Sequence, residues 1–242
     1  MNEVLSQLHA RKSVRAFLDR PISPEARRAI LEAACAAPTA GNQQLYTILD
    51  ITDQAVKDTL ADTCDHQPFI ARAPLVLIFC ADCQKWYDAF AAGGCSPRRP
   101  GPGDLWLALS DANIAAQNAV TAAWSLGIGS CYIGDILEQV ETHRPLLRLP
   151  EYVVPAALLV FGYPTQQQQE REKPRRRALE HIVHENAYRR MGPAELEAML
   201  ADNAGARPYG TWLDAFCKRK YNSDFSREMS RSMAEYLKPF LP

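Results

Sequence analysis

Apolar and polar positions follow two different periods along the chain, and each period predicts a different kind of element. Residues 23–35, SPEARRAILEAAC, place apolar side chains three and four positions apart, which predicts an amphipathic helix. Ser23 is suited to cap this helix, Pro24 to stand in its first turn, and Pro38 to end the helical run. The same period predicts further helices over residues 54–64, 84–91 and 104–127.

Short apolar runs predict strands, and the continuous ones predict strands that are buried on both faces. Four such segments are predicted, at residues 46–51, 74–81, 128–134 and 153–164. Glycine and proline predict a flexible loop at 93–103, and the composition of 165–177 predicts a polar linker. The pattern therefore predicts a helix-rich α+β fold with four or five strands in one central sheet, followed by a charged helical C-terminal part.

The charge balance limits the partners that the chain can have. Lysine and arginine number 27 against 28 acidic residues, a net charge of -1, which argues against broad nucleic-acid binding. With 242 residues and 47% hydrophobic content, the chain can bury a large core. The longest apolar helix contains polar residues, among them Asp111, Asn113, Gln117 and Asn118, so we expect a buried helix and no contact with a membrane.

Cysteine usage indicates a reducing compartment. The chain has seven cysteines, and its amphipathic N-terminal stretch lacks the apolar region of a signal peptide, so we expect free thiols in the cytoplasm. Cys80 and Cys83 form a CxxC without a second pair, which favours strand-end packing over a zinc or dithiol redox role. His181 and His184 are expected on one helical face without a third ligand, so we expect no metal site.

A cationic segment, RKSVRAF at residues 11–17, stands out in this nearly neutral chain. It places three cations within five positions, which indicates a local site for an anion. Arg11 and Arg15 can fork onto phosphate oxygens, and the Ser13 hydroxyl can donate a further hydrogen bond.

Three more segments carry candidate chemistry: APTAGNQQ at 37–44, GIGSCYIGDI at 127–136, and EKPRRR at 172–177. The glycine-rich one is not a dinucleotide-binding fingerprint, because Tyr132 occupies the third glycine position and a helix precedes it. Its Gly134 would let a backbone N–H approach a ligand closely. EKPRRR forms a second cationic cluster after the last predicted strand.

Together and in this order, the four segments resemble the nitroreductase family of FMN-dependent oxidoreductases, from about residue 8 to residue 176. The family motif R-x-S-x-R-x-F matches the cationic segment, and A-P-[ST]-x-x-N-x-Q matches residues 37–44. G-[IL]-G-x-x-x-I-G matches residues 127–134, and G-x-P followed by K-P-R matches 162–164 and 173–175. The C-terminal third is similar to the long tail of NADPH-preferring flavin reductases and oxygen-insensitive nitroreductases.

The resemblance implies a set of FMN-binding residues. The phosphate would be held by Arg11, Ser13 and Arg15, with Lys12 where the family often has arginine or histidine, and by Lys173 and Arg175. The ribityl or isoalloxazine side would be lined by Pro38, Thr39, Ala40 and Asn42, which in this family commonly come from the partner subunit. Gln67 would contact the flavin pyrimidine. The ring would lie along Tyr132, Ile133, Gly134 and Asp135, with a backbone N–H near Gly134 directed at N5.

The resemblance also implies an architecture and an activity. Residues 1–176 would form a core with a mainly antiparallel sheet surrounded by helices, and residues 177–242 a helical extension on the core or the dimer partner. The protein would be a homodimeric enzyme in which NAD(P)H reduces FMN and an electron-poor acceptor, such as a nitroaromatic, quinone or flavin, reoxidises it in ping-pong order. The chemistry takes place at the flavin, so no catalytic side chain is expected. The alternatives are a flavin storage or sensing protein and a non-redox enzyme with a flavin site.

Overall fold

Helices and a single four-stranded sheet make up the chain, which the computed structural model describes over residues 1–242. Helices α1 to α11 are, in chain order, Glu3–Ala10, Pro24–Cys35, Gln54–Thr63, Phe69–Arg72, Gln84–Ala92, Pro102–Ser125, Val140–Leu146, Gln166–Glu170, Pro193–Leu200, Tyr209–Lys220 and Asp224–Leu237. Strands β1 to β4 are Tyr46–Asp50, Leu75–Asp82, Gly129–Ile133 and Val153–Gly162. The predicted α+β class is confirmed.

The sheet has the order β1-β2-β4-β3, and every neighbouring pair is antiparallel. Every residue of β2 is buried, as its continuous apolar run predicted. Val76 and Ile78 belong to one hydrophobic cluster, whereas Leu77 and Phe79 belong to another. Because successive side chains of a strand point to opposite faces, both faces of the sheet are covered, and no apolar-polar alternation remains in its central strands.

Two helix starts follow directly from the sequence. The Ser23 side chain accepts a hydrogen bond from the Ala26 N–H at 3.2 Å, and Pro24 occupies the first turn of α2, as predicted. Helix α6 begins at Pro102, two residues before the predicted start. The reason is that the Asp104 carboxylate accepts from the Gly101 N–H at 2.8 Å, which places this carboxylate inside the first turn.

Helix α6 is the central helix of the fold. Its buried face is a row of alanines, from Ala112 to Ala123, in the cluster that also contains Leu77 and Phe79. Small side chains let the helix lie close to the sheet and to α2. No helix of the chain combines the length and the apolar character needed to cross a membrane.

The chain divides into two compact units. The first consists of Met1–Arg171 together with Glu228–Pro242, and it contains the whole sheet. The second, Glu172–Arg227, contains α9 and α10, so the C-terminal part is helical as predicted. The predicted division at residue 176 stays a prediction.

Two local predictions for residues 165–190 were wrong. The stretch 165–177 is not wholly a linker, because Gln166–Glu170 forms α8. His181 and His184 do not share a helical face: a 3₁₀ turn covers only Leu179–His181, and Nδ1 of His184 accepts from the Arg189 N–H at 3.0 Å. No group of three histidine, cysteine or acidic side chains is arranged to hold a metal ion.

Candidate active site

The cationic segment lies along the outer edge of the sheet, beside β3. Ser13 and Ser130 form a parallel bridge, and the Val14 N–H donates to the Ser130 carbonyl at 2.9 Å. Further along, Phe17 pairs with Pro164 in an antiparallel bridge. An edge strand exposes backbone groups that need partners, and here the segment supplies them. The sheet therefore fixes the backbone from which Arg11 and Arg15 project.

Two glycines on neighbouring strands make this docking possible. Gly129 of β3 and Gly162 of β4 lie opposite each other in the strand register. A Cβ added to Gly129 would lie 2.5 Å from Cγ2 of Val14, and a Cβ added to Gly162 would lie 2.6 Å from Cγ of Phe17. Only glycine permits so close an approach of the segment to the sheet. Both glycines stand in the family motifs, but the sequence did not indicate this packing role.

The cationic side chains have two kinds of surroundings. The Arg11 guanidinium lies over the Tyr132 ring at 5.9 Å, and Arg15 is exposed. Lys12 instead donates through Nζ to the carbonyls of Gln169, at 2.5 Å, and Arg171. Lys12 thus ties the segment to the end of α8, and its predicted contact with the cofactor stays a prediction.

Arg171 is a fourth cation at this position, and sequence reasoning missed it. Its Nη2 donates to the Ser13 carbonyl at 2.5 Å. The positive charges of Arg15, Arg11 and Arg171 all act on the buried Cys131 thiol, although burial dominates and raises the pKa of that thiol. The first compact unit therefore gathers three guanidinium groups within electrostatic reach of one point at the edge of the sheet.

Lys173 and Arg175 belong to the second compact unit, Glu172–Arg227. Their predicted contact with the same anion stays a prediction. The signal that could have found Arg171 was its place directly before the EKPRRR run, in a stretch already read as cationic.

The APTAGN turn, residues 37–42, is held by a carboxylate of α6. The Asp111 side chain is only 3% exposed, and it accepts from the N–H groups of Ala40, at 2.9 Å, and Leu45, at 3.2 Å. Gly41 and Asn42 have positive φ angles, 57° and 56°, which close the turn tightly. Asp111 was read from the sequence only as a polar residue in an apolar helix. Its place among alanines was the available signal.

The predicted ring-binding residues meet where β3 ends. Tyr132 and Ile133 close the strand, and Gly134 opens a 3₁₀ turn that extends to Leu137. A Cβ at Gly134 would meet no atom within 4 Å, so the space beside this backbone is open. Burial raises the pKa of Tyr132 to about 12, which keeps its phenol neutral.

Gln67 and Asp135, which are far apart in sequence, are brought together here. The Gln67 amide nitrogen donates to the Cys64 carbonyl and to Oδ2 of Asp135, each at 2.9 Å. An amide nitrogen has two N–H groups, and both are used. The amide oxygen is therefore the atom of Gln67 that can accept a hydrogen bond from a ligand.

Comparison with known proteins shows the family. The model of the nitroreductase family matches residues 8–163, and the chain belongs to this family. It is 30% identical over 238 residues to the FMN reductase [NAD(P)H] of Bacillus subtilis, covering 98% of this chain and 91% of the relative. It is 34% identical over 189 residues to the oxygen-insensitive NADPH nitroreductase of Salmonella typhimurium, covering 78% of this chain and 75% of the relative.

A solved structure shows the same fold. Nitroreductase A from Vibrio parahaemolyticus superposes with a TM-score of 0.84 at 24% identity, over 100% of this chain and 98% of that one. The predicted family is confirmed, and so is the predicted arrangement of helices around a central antiparallel sheet.

Proposed function

We propose that this protein is an FMN-dependent NAD(P)H oxidoreductase of the flavin reductase or nitroreductase type. One observation carries the proposal: guanidinium groups, an open glycine backbone and an amide acceptor lie along the same edge of the sheet, from the cationic segment to the end of β3. Relatives of nearly the same length are named as an FMN reductase and an NADPH nitroreductase, which supports the same assignment.

The hydrogen-bond donors of the cationic segment, at one end of this sheet edge, fit a phosphate. Arg11, Arg15 and the Ser13 hydroxyl would hold the phosphate of FMN, since guanidinium groups bind phosphate oxygens with charge-assisted hydrogen bonds. Arg171 adds positive charge to the same place while it holds the Ser13 carbonyl. The family motif K-P-R adds Lys173 and Arg175 to the proposed phosphate ligands.

The groups at the other end fit the flavin ring. The oxygen of Gln67 would accept from the N–H of the flavin pyrimidine, because both amide N–H groups are already used. The open space at Gly134 would let its backbone approach the ring, and Tyr132, Ile133 and Asp135 would lie along it. Pro38, Thr39, Ala40 and Asn42, in the turn held by Asp111, would line the ring or the ribityl chain.

Held by these residues, FMN would supply hydride transfer through N5 between NAD(P)H and an electron-poor acceptor such as a nitroaromatic, a quinone or a free flavin. The chain contributes binding, orientation and an accessible face, on which the two substrates would alternate in ping-pong order. The Asp135 carboxylate would disfavour anionic acceptors there. No side chain is assigned as an acid or base.

The protein would act as a homodimer. Helix α6 leaves three large apolar side chains exposed: Trp106 at 72%, Leu107 at 48% and Ile114 at 40%. Exposed apolar groups on one helix favour a protein interface, and a second copy is the occupant that would complete the site with its own APTAGN turn. Sedimentation analysis should find a dimer, and a monomer that still holds FMN would contradict this assembly.

The free state of the cysteines supports a cytoplasmic location for this protein. All seven are free thiols. Oxidising compartments favour disulfides in secreted proteins, so a reducing compartment suits this chain better. Fractionation of the producing cells should recover the protein with the cytoplasmic enzymes.

Anaerobic mixing of the FMN-loaded protein with NADPH or NADH tests the function. The flavin absorbance should bleach within seconds and return when a nitroaromatic or a quinone is added. A flavin that stays oxidised would favour a storage or sensing protein. If neither NADPH nor NADH reduces the flavin, but the flavin-loaded protein turns over another substrate, the result would favour a non-redox enzyme.

A further inference from the structure

The C-terminal helix α11 supplies hydrogen bonds to a segment of the proposed flavin site that lies far from it in the sequence. Helix α7 begins at Val140, directly after the segment 134–139, which contains Gly134 and Asp135. The first N–H groups of a helix have no partner within that helix. Gln139, the residue before α7, provides no side-chain cap. The partners of these N–H groups come from α11.

Two side chains of α11 accept hydrogen bonds from this helix start. Oε1 of Glu228 accepts from the Gln139 N–H at 3.1 Å, and Oγ of Ser232 accepts from the Val140 N–H at 3.1 Å. The Ser232 hydroxyl in turn donates to Oε1 of Glu228 at 2.7 Å. Ser232 is fully buried, so loss of its hydroxyl would leave the Val140 N–H without a partner.

Arg231, on the same helix, fixes the Glu228 carboxylate. Its guanidinium donates to both oxygens of Glu228, at 2.8 Å each, and to both oxygens of Glu141, at 2.7 and 2.8 Å. The hydrogen bonds from Arg231 lower the pKa of Glu228 to about 2, so this carboxylate is ionised throughout the neutral range. Glu228 is therefore a charged and fixed acceptor for the Gln139 N–H.

Gln139 has a backbone conformation that depends on such contacts. Its φ angle is 48°, in the left-handed region that residues other than glycine rarely adopt, so the surrounding structure must hold it. Besides the bond from its N–H to Glu228, its side-chain amide donates to the Thr63 carbonyl at 2.8 Å. Both contacts come from other parts of the chain, and together they fix the point where α7 begins.

The contact with Thr63 leads to the amide that is proposed to bind the flavin pyrimidine. Thr63 ends α3, and the carbonyl of the next residue, Cys64, accepts from the Gln67 amide at 2.9 Å. The same amide donates to Asp135 at 2.9 Å. The segment 134–139 is therefore held near its first residue by the Gln67 amide and at its last residue by α3 and α11.

We propose that Glu228 and Ser232 are positioning residues: from α11 they hold the segment 134–139 in the conformation that the flavin ring requires. The model of the family ends at residue 163, so α11 lies outside the part of the chain that it matches. The inference rests on the proposed function, because it takes the flavin to lie along this segment. Without either acceptor the segment gains freedom, and flavin binding must restore its order at the expense of affinity.

The test titrates the apo-protein of two variants with FMN and with riboflavin, followed by flavin fluorescence. Glu228→Ala removes the acceptor of the Gln139 N–H, and Ser232→Ala removes that of the Val140 N–H. The loss of a helix cap corresponds to about twofold to thirtyfold in an equilibrium constant, so each variant should weaken binding by a factor in this range. The factor should be the same for FMN and riboflavin, because the two ligands share the ring.

Two further variants serve as controls. Glu228→Gln keeps an acceptor oxygen at the position of Oε1 and loses only the bond from Nε of Arg231 to Oε2, so its flavin affinity should lie closer to wild type than that of Glu228→Ala. Glu235→Ala removes a carboxylate of the same helix that pairs with Lys238. It is the matched control, and its affinity for both flavins should equal that of wild type.

A second readout separates positioning from general stability. Backbone hydrogen exchange of the apo-protein should accelerate at residues 134–140 in Glu228→Ala and Ser232→Ala, while β4, an inner strand of the sheet, keeps its protection. If α11 served only the stability of the fold, protection would fall throughout the sheet as well. If Glu228→Ala does not fold, Ser232→Ala decides alone.

The outcomes separate this inference from the proposed function. Equal losses of affinity for FMN and riboflavin, with faster exchange confined to 134–140, would support the positioning role. Unchanged affinity for both flavins in the alanine variants, or a loss for FMN alone, would overturn this role and leave the oxidoreductase assignment intact. Failure of the wild-type protein to bind either flavin would overturn the proposed function and the inference with it.

Discussion

The Gly162→Ala variant tests whether the glycine pair docks the cationic segment. The added Cβ would lie 2.6 Å from Cγ and 2.7 Å from Cδ1 of Phe17. Carbon atoms pack at about 3.5–4.0 Å, so the ring must retreat by roughly 1 Å. Overpacking of this kind costs about 1–3 kcal/mol. The chain can relieve the strain by lifting the segment off the sheet, which would misplace Arg15.

We therefore expect two effects of Gly162→Ala. The free energy of unfolding should fall by no more than the overpacking cost of about 3 kcal/mol, since the sheet itself is retained. FMN affinity should fall by about tenfold or more, since 1.4 kcal/mol corresponds to a factor of ten. Denaturant unfolding of the apo-protein and fluorescence titration with FMN measure the two quantities.

Controls separate crowding from a general effect of alanine. Gly103→Ala adds a Cβ that meets nothing within 4 Å in the first turn of α6, so FMN affinity should stay near wild type and the free energy of unfolding should not fall. Phe17→Ala removes the two closest ring atoms but leaves its Cβ 2.9 Å away, so it should rescue Gly162→Ala only in part. Unchanged stability and FMN affinity in Gly162→Ala would refute the docking role.

Three further predictions concern single positions. Gly134→Ala should leave the thermal stability of the apo-protein unchanged, because the added Cβ enters open space. The same variant should weaken FMN binding and slow hydride transfer, which stopped-flow absorbance measures. Hydride-transfer rates equal to wild type would mean that the flavin ring lies elsewhere. Asp111→Asn keeps only one acceptor oxygen, so the N–H of either Ala40 or Leu45 loses its partner, and denaturant unfolding should find a loss of about 1–3 kcal/mol. An unchanged stability would mean that the turn is held by other contacts. Burial raises the thiol pKa of both Cys80 and Cys83 to about 12, which keeps the thiols unreactive. The double variant Cys80→Ser with Cys83→Ser should therefore keep FMN content and NAD(P)H oxidation near wild type. Loss of activity together with loss of a stoichiometric metal would show that the CxxC has a functional role.

Elements with a strong local signal were predictable from the sequence. The continuous apolar runs gave β2 and β4, and Ser23 with Pro24 gave the start of α2. The error at His181 arose because periodicity alone does not show whether a short charged stretch has tertiary contacts to hold it as a helix.

The site was predictable only where a motif carried it. Gln67 and Asp135, which the family resemblance assigned to the flavin, do meet, 68 positions apart in the chain. Asp111 and Arg171 escaped prediction because their roles depend on which distant segments the fold brings together. Asp111, for example, binds an N–H 71 positions away.

The most direct test of the account compares FMN with riboflavin in wild type and in Arg15→Ala. A charge-assisted contact contributes about 1.5–3 kcal/mol, so FMN affinity should fall by about one to two orders of magnitude in the variant. Riboflavin affinity should barely change, because riboflavin has no phosphate. Arg175→Ala should behave alike and non-additively with Arg15→Ala if both hold one phosphate. Arg99→Ala, at an exposed position of the loop 93–101, is the matched control. An equal loss of affinity for FMN and riboflavin in Arg15→Ala would mean that the arginine supports the fold or the ring and does not bind the phosphate. Unchanged affinity for both ligands would mean that the cationic segment is a solvated turn without a role in FMN binding.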